Sequence, residues 1–89
     1  MNVKNGLGMK PQVKLYTRVG CCLCDEAKEV IAAARRRADF DYAEIDIDGD
    51  AELVRLYNVE VPVVTINGRK AFKYKVDMNE LLKKLAASI

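Results

Sequence analysis

The sequence predicts a small α/β fold with the element order β-α-β-α-β-β-α, and three observations carry that expectation. Apolar positions recur with a period of two at Val13, Leu15 and Thr17 and again at Ala43, Ile45 and Ile47, with a helical period between them. Strand–helix–strand stretches of this kind imply parallel pairing. Asn67-Gly68, set between two β-like runs, is a two-residue hairpin signal that adds an antiparallel edge. A length of 89 residues, with 51% hydrophobic and 31% charged types, suits one globular domain and excludes a two-domain enzyme with an interdomain cleft.

Residues 1–10 contain two Gly and two Asn without periodicity and are expected to form a flexible leader, with a single domain over 11–89. The first strand alternates Val13, Leu15 and Thr17 with Gln12, Lys14 and Tyr16 and ends at Arg18-Val19-Gly20. A helix is expected from Cys22 to about Ala38, with Leu23, Ala27, Val30, Ile31 and Ala34 on one face. The second strand spans about Asp41 to Ile47, and Asp48-Gly49-Asp50 is a turn whose last residue suits the N-cap of a short helix over Ala51 to Tyr57. Asn58 suits a left-handed helix end. Val61 to Ile66 is the most β-branched stretch and gives the third strand; Arg69 to Val76 returns as the fourth. Asp77, with Glu80 three residues on, reads as a capping-box-like start to a last helix carrying Leu81, Leu82 and Leu85.

Fifteen basic against thirteen acidic residues leave a net charge of +2, too little to argue for nucleic acid or an anionic membrane. No apolar run approaches the roughly 20 residues of a membrane helix, and Met1 to Met9 lacks a signal peptide's apolar core. A soluble, cytoplasmic protein is the expectation. There is no His and no Trp, so the commonest general base and the commonest metal ligand are both missing. Any chemistry falls to thiols, carboxylates, amines or backbone groups.

All three cysteines sit within four residues, at Cys21, Cys22 and Cys24. An odd, clustered set is not a secreted disulfide framework; it points to a reducing compartment and to chemistry at one place. The cluster lies where the first strand turns into the first helix, where unpaired N–H groups and the helix dipole favour a thiolate and are expected to lower the pKa of Cys21. Two intervening residues let the Cys24 sulfur curl back to within bonding range of Cys21, so that one thiol attacks a disulfide and the other resolves the intermediate. Arg18 could add positive charge from three residues ahead. With no His and no second cysteine pair, the chain cannot complete a four-ligand Cys/His zinc site alone. Cys22 reads as a spare thiol. Asp25 and Glu26 read as complements of the helix dipole, and Arg35-Arg36-Arg37 as a solvated helix end. Tyr57 and Tyr74 read as packing residues. Pro62 opens the most β-like stretch, where proline is unwelcome; one account is a cis Val61–Pro62 bond that turns the Val61 backbone toward the thiols, and the other is a trans proline at a strand start.

Tyr16-Thr17-Arg18-Val19-Gly20-Cys21-Cys22-Leu23-Cys24 resembles the Tyr-Ser/Thr-Lys/Arg-x-x-Cys-x-x-Cys motif of glutaredoxins, and Val59-Glu60-Val61-Pro62 resembles their Val-Pro segment. Cys21 to Ala27 is similar to small glutaredoxin-like proteins in which Cys-x-Leu-Cys-Asp/Glu-Glu/Asp-Ala opens the helix. The resemblance implies a thioredoxin-like fold from about Val13 onward, a central four-stranded mixed sheet flanked by helices. It implies Cys21 as nucleophile, Cys24 as resolving thiol, the pair as a redox-active disulfide, and Pro62 as a cis-proline. It further implies that the Val61 backbone pairs with a bound peptide or glutathione and that Arg18 faces a glutathione carboxylate. The glycine pair and nearby acid that usually follow the hairpin in glutaredoxins are replaced here by Lys73-Tyr74-Lys75-Val76-Asp77, in which only Asp77 could serve. Thioredoxins carry Trp-Cys-Gly-Pro-Cys, and this chain has neither the Trp nor that spacer.

The expected function is therefore a thiol–disulfide oxidoreductase that reduces protein disulfides or glutathionylated substrates. It would be a monomer without a tightly bound cofactor or metal, served by glutathione or a thioredoxin-reductase-type donor, and would bind neither nucleic acid nor membrane. Two alternatives stay open. One is a metal or iron–sulfur carrier in which two chains pool Cys21 and Cys24; the other is a non-catalytic redox-sensing module.

Overall fold

A computed structural model describes residues 10–88, so the leader expected over residues 1–10 lies almost wholly outside the described residues. The elements are β1 (Gln12–Thr17), α1 (Cys22–Arg35), β2 (Asp41–Asp46), a 3-10 turn (Ile47–Gly49), α2 (Ala51–Tyr57), β3 (Val63–Ile66), β4 (Arg69–Lys73) and α3 (Met78–Ala87). The four strands form one sheet in the order β2-β1-β3-β4. β1 runs parallel to β2 and antiparallel to β3, and β4 is antiparallel to β3. The sheet is mixed and four-stranded as predicted, and β1-α1-β2 gives the expected parallel pair. The second strand–helix–strand stretch does not: β3 is not a neighbour of β2 and pairs antiparallel with β1 instead.

The period of two along β1 decides which helices cover which face. Val13 and Leu15 point to one side, where they join Val64 and Ile66 of β3, Ala27, Ile31 and Ala34 of α1, and Leu81 and Leu85 of α3 in a single buried cluster. Tyr16 points to the other side and meets Tyr57 of α2, with ring centroids 4.7 Å apart. Thus α1 and α3 lie on one face and α2 on the opposite one. β3 is buried along all four residues because both its faces are covered and both its edges are paired.

Five boundaries differ from the sequence expectation, each for a local reason. α1 stops at Arg35 rather than Ala38, because the N–H groups of Arg37 and Ala38 both turn back to the Ala34 carbonyl at 2.9 Å. β2 ends at Asp46, whose side chain accepts from the Asp48 N–H at 2.9 Å and starts the 3-10 turn. As an edge strand, β2 buries neither face fully, so its alternation is blunted. Asn58 is not left-handed (φ −3°, ψ −84°); its side chain is turned to Arg18 instead. β3 begins at Val63, two residues after the expected start, since Pro62 has no N–H to give a ladder. β4 ends at Lys73, because Tyr74 adopts φ 72° and breaks the extended run. The hairpin behaves as its residues require: Asn67 and Gly68 both have positive φ, 53° and 85°, the type I′ combination.

Candidate functional site

β1 delivers its chain to α1 through Arg18-Val19-Gly20, and Gly20 makes the turn at φ 80°, a region where a side chain would be strained. Cys21 follows as the N-cap of α1, with extended backbone angles of −92° and 109°. Its sulfur, in the position that a serine or aspartate oxygen takes in other helices, accepts from the Cys24 N–H at 3.2 Å. Cys21 is half-buried, Cys22 is exposed on the first turn, and Cys24 is 1% exposed on the core side of the helix. The spacing therefore brings Cys24 beneath Cys21 and turns Cys22 outward. All three are free thiols.

The electrostatics of Cys21 run against the expectation of a lowered pKa. Burial pushes its thiol up, and the adjoining Cys24 thiol pushes the same way; the N–H groups of Cys24 and Leu23 pull down without overcoming them. The Cys21 sulfur thus faces backbone donors but sits in a half-dry setting beside a second sulfur.

The topology gathers the remaining candidates at the same end of the sheet. β3 pairs antiparallel with β1, Val63 opposite Tyr16, so Pro62 and Val61 run past the end of β1 toward the Cys21 turn. The Val61–Pro62 peptide is cis. Among the described residues Val61 has no backbone hydrogen-bond partner, whereas the Pro62 carbonyl accepts from the Tyr74 N–H at 2.8 Å. Asp77 closes the segment after β4, where its carboxylate accepts from the Glu80 N–H at 2.9 Å and caps α3. Arg18 lies on the opposite flank. Its Nη2 and Nε reach Asp48 at 2.7 and 3.2 Å, and its Nη1 reaches the side-chain and backbone oxygens of Asn58 at 3.1 and 3.4 Å. Arg18 thereby ties the Cys21 turn to the segment that precedes Val61.

Four residues at this end went unremarked in the sequence as site neighbours. Asp48 and Asn58 hold Arg18; the parallel register that sets Thr17 opposite Asp46 is the signal that could have placed an acid there. Val19, two residues before Cys21, and Val59, two before Val61, stand 89% and 74% exposed, and nothing in a one-dimensional pattern marks them as uncovered. Tyr57 packs on Tyr16 as expected, but Tyr74 does not pack away: it is 42% exposed. Among the described residues no three metal-ligating side chains converge, so Cys21 and Cys24 of one chain would make at most half of a four-ligand site.

Comparisons with known proteins bear on the family and the fold. The family described as Glutaredoxin-like domain (DUF836) matches residues 12–86. An uncharacterized protein of Mycobacterium tuberculosis is 33% identical over 84 residues, covering 89% of this chain and 87% of its own length. A solved structure of a structural-genomics target protein from X. campestris is 36% identical with a TM-score of 0.71, covering 84% of this chain and 96% of that one. A mutant thioredoxin from Halobacterium salinarum, 19% identical, superposes with a TM-score of 0.67 over 89% of this chain and 74% of its own, a likeness of fold alone. The fold is thioredoxin-like.

Proposed function

The chain belongs to the glutaredoxin-like family, and from that premise we propose that it is a thiol–disulfide oxidoreductase of a reducing, cytoplasmic compartment. The observation that carries this reading is the placement of Cys21: it caps α1, its sulfur receives the Cys24 N–H, and it sits at the sheet end that also holds cis-Pro62. Cys21, as thiolate, attacks one sulfur of a substrate disulfide; an S–S bond to Cys21 forms and one substrate thiol departs with a proton. Cys24, lying beneath, attacks the Cys21 sulfur, forming the Cys21–Cys24 disulfide and releasing the second thiol. Two electrons and two protons pass from the dithiol to the substrate, and a thiol or reductase donor restores the protein. The unpaired Val61 backbone supports extended pairing with the substrate beside the thiols.

Replacing Cys21 with Ser is expected to abolish turnover of a model disulfide. Cys24→Ser is expected to halt the reaction one step later, accumulating mixed disulfides through Cys21 that mass spectrometry can locate. Full reductase turnover in Cys21→Ser would contradict the assignment.

A further inference from the structure

We infer, on the premise of that oxidoreductase reading, that the site is closed to glutathione and takes disulfides within polypeptides, with Tyr74 and the Asp48-locked Arg18 as its specificity-determining residues. Glutathione carries two carboxylates and an ammonium, so a site that seats it beside a thiol must offer charged groups free to face them. At this end of the sheet those groups are already engaged. The guanidinium of Arg18 spends its fork on Asp48 and its third nitrogen on Asn58. The cleft of about 260 Å³ beside it is lined by Thr17, Arg18, Val19, Lys28, Glu44 and Asp46. Within that cleft Lys28 faces Glu44 at 3.6 Å, and Asp46 accepts from the Asp48 N–H at 2.9 Å. On the other flank Asp77 is turned into the cap of α3, and Lys73 lies 4.0 Å from Glu60. Of the cations at this end, Lys75 alone makes no ion pair among the described residues, and one flexible ammonium does not define a tripeptide's pose.

Tyr74 adds a steric element. Its φ of 72° is the conformation that glycine adopts without penalty, and its N–H is bonded to the carbonyl of Pro62. A glycine there would leave bare backbone beside the cis-proline; tyrosine brings a half-exposed ring, with the Lys73 ammonium 5.7 Å from its centre. Val19, two residues before Cys21, and Val59, two before Val61, add exposed apolar side chains to the margin of this end of the sheet, where the Val61 backbone has no partner among the described residues. A polypeptide strand answers both features at once, because its backbone pairs with Val61 while its side chains cover the margin. A small, highly charged tripeptide answers neither.

The test uses the full chain, reduced at Cys21 and Cys24, mixed in separate reactions with insulin and with glutathione disulfide, and quenched by alkylation. The expected result is a second-order rate constant at least tenfold higher for insulin, with no saturation by glutathione disulfide into the millimolar range. In Asp48→Asn, Tyr74→Gly and the double variant, the glutathione-to-insulin ratio is expected to rise about tenfold, the worth of one charge-assisted hydrogen bond. The ratio cancels any general loss of foldedness, and Tyr74→Gly keeps the test alive if Asp48→Asn loosens the turn. Wild-type protein that is saturated by glutathione disulfide and reduces it as fast as insulin overturns the inference while leaving the oxidoreductase reading intact. A ratio unmoved in all three variants overturns the assignment of the two residues. A dithiol that reduces neither substrate overturns the oxidoreductase reading itself.

Discussion

Cys21 shows how one position sets two opposing influences on a thiol. As N-cap it receives backbone N–H groups that favour the thiolate, yet partial burial and the neighbouring Cys24 sulfur outweigh them and push its pKa up. The sign of the consequence follows directly. A raised thiol pKa leaves little thiolate at neutral pH, so Cys21 alkylation should rise about tenfold per pH unit between 6 and 8 without levelling. A rate already level at pH 7 would show a depressed pKa instead. The same shift means that the folded state holds the thiol proton more tightly. Its contribution to stability is therefore present below the ordinary thiol pKa, about 8.5, and lost as pH climbs through the raised value. That Cys21 caps the helix was legible from Cys-x-x-Cys placed after a strand. The balance of burial against capping was not, because it depends on how deep α1 beds the turn into the sheet end.

At the scale of elements, the caps were readable and the breaks were not. Asp50 and Asp77 were marked by their position ahead of an apolar helical period, and both accept from an N–H two or three residues on, at 2.8 and 2.9 Å. Replacing Asp77 with Ala should cost about 1 kcal/mol in a denaturant melt. β4 was expected to reach Val76 because nothing in Lys73-Tyr74-Lys75 signals a turn; the stop comes from Tyr74 in a conformation that its type disfavours. Strain of that kind costs a non-glycine residue about 1–3 kcal/mol. Tyr74→Gly should consequently hold or raise the melting temperature, where glycine at an ordinary exposed site would lower it. A loss of several degrees would mean that the ring, not the backbone, secures this turn.

Across the whole molecule, the candidate site exists only because of strand order. Arg18, Cys21, Val61, Pro62 and Asp77 span 60 positions of sequence, and they lie toward one end of the sheet because β1, β3 and β4 are neighbours whose relevant ends coincide. Fold class and element order could be read from periodicity, since burying one face of β1 against α1 and α3 demands the Val13-Leu15 and Ala27-Ile31-Ala34 patterns. Which side chains would pair across the site could not, because the Arg18–Asp48 contact is fixed by the register of β2 on β1. Leu15 is fully buried on a central strand, and Leu15→Ala should cost about 2–5 kcal/mol, a large share of the stability of a domain this small.

The most direct test of the central claim is a redox titration in defined thiol buffers, with alkylation and peptide mass spectrometry at each potential. The account predicts a single two-electron transition that joins Cys21 to Cys24 within the cytosolic thiol range of roughly −220 to −320 mV, while exposed Cys22 stays open to alkylation throughout. Thiols that never pair across that range, or a disulfide that takes in Cys22, would contradict it.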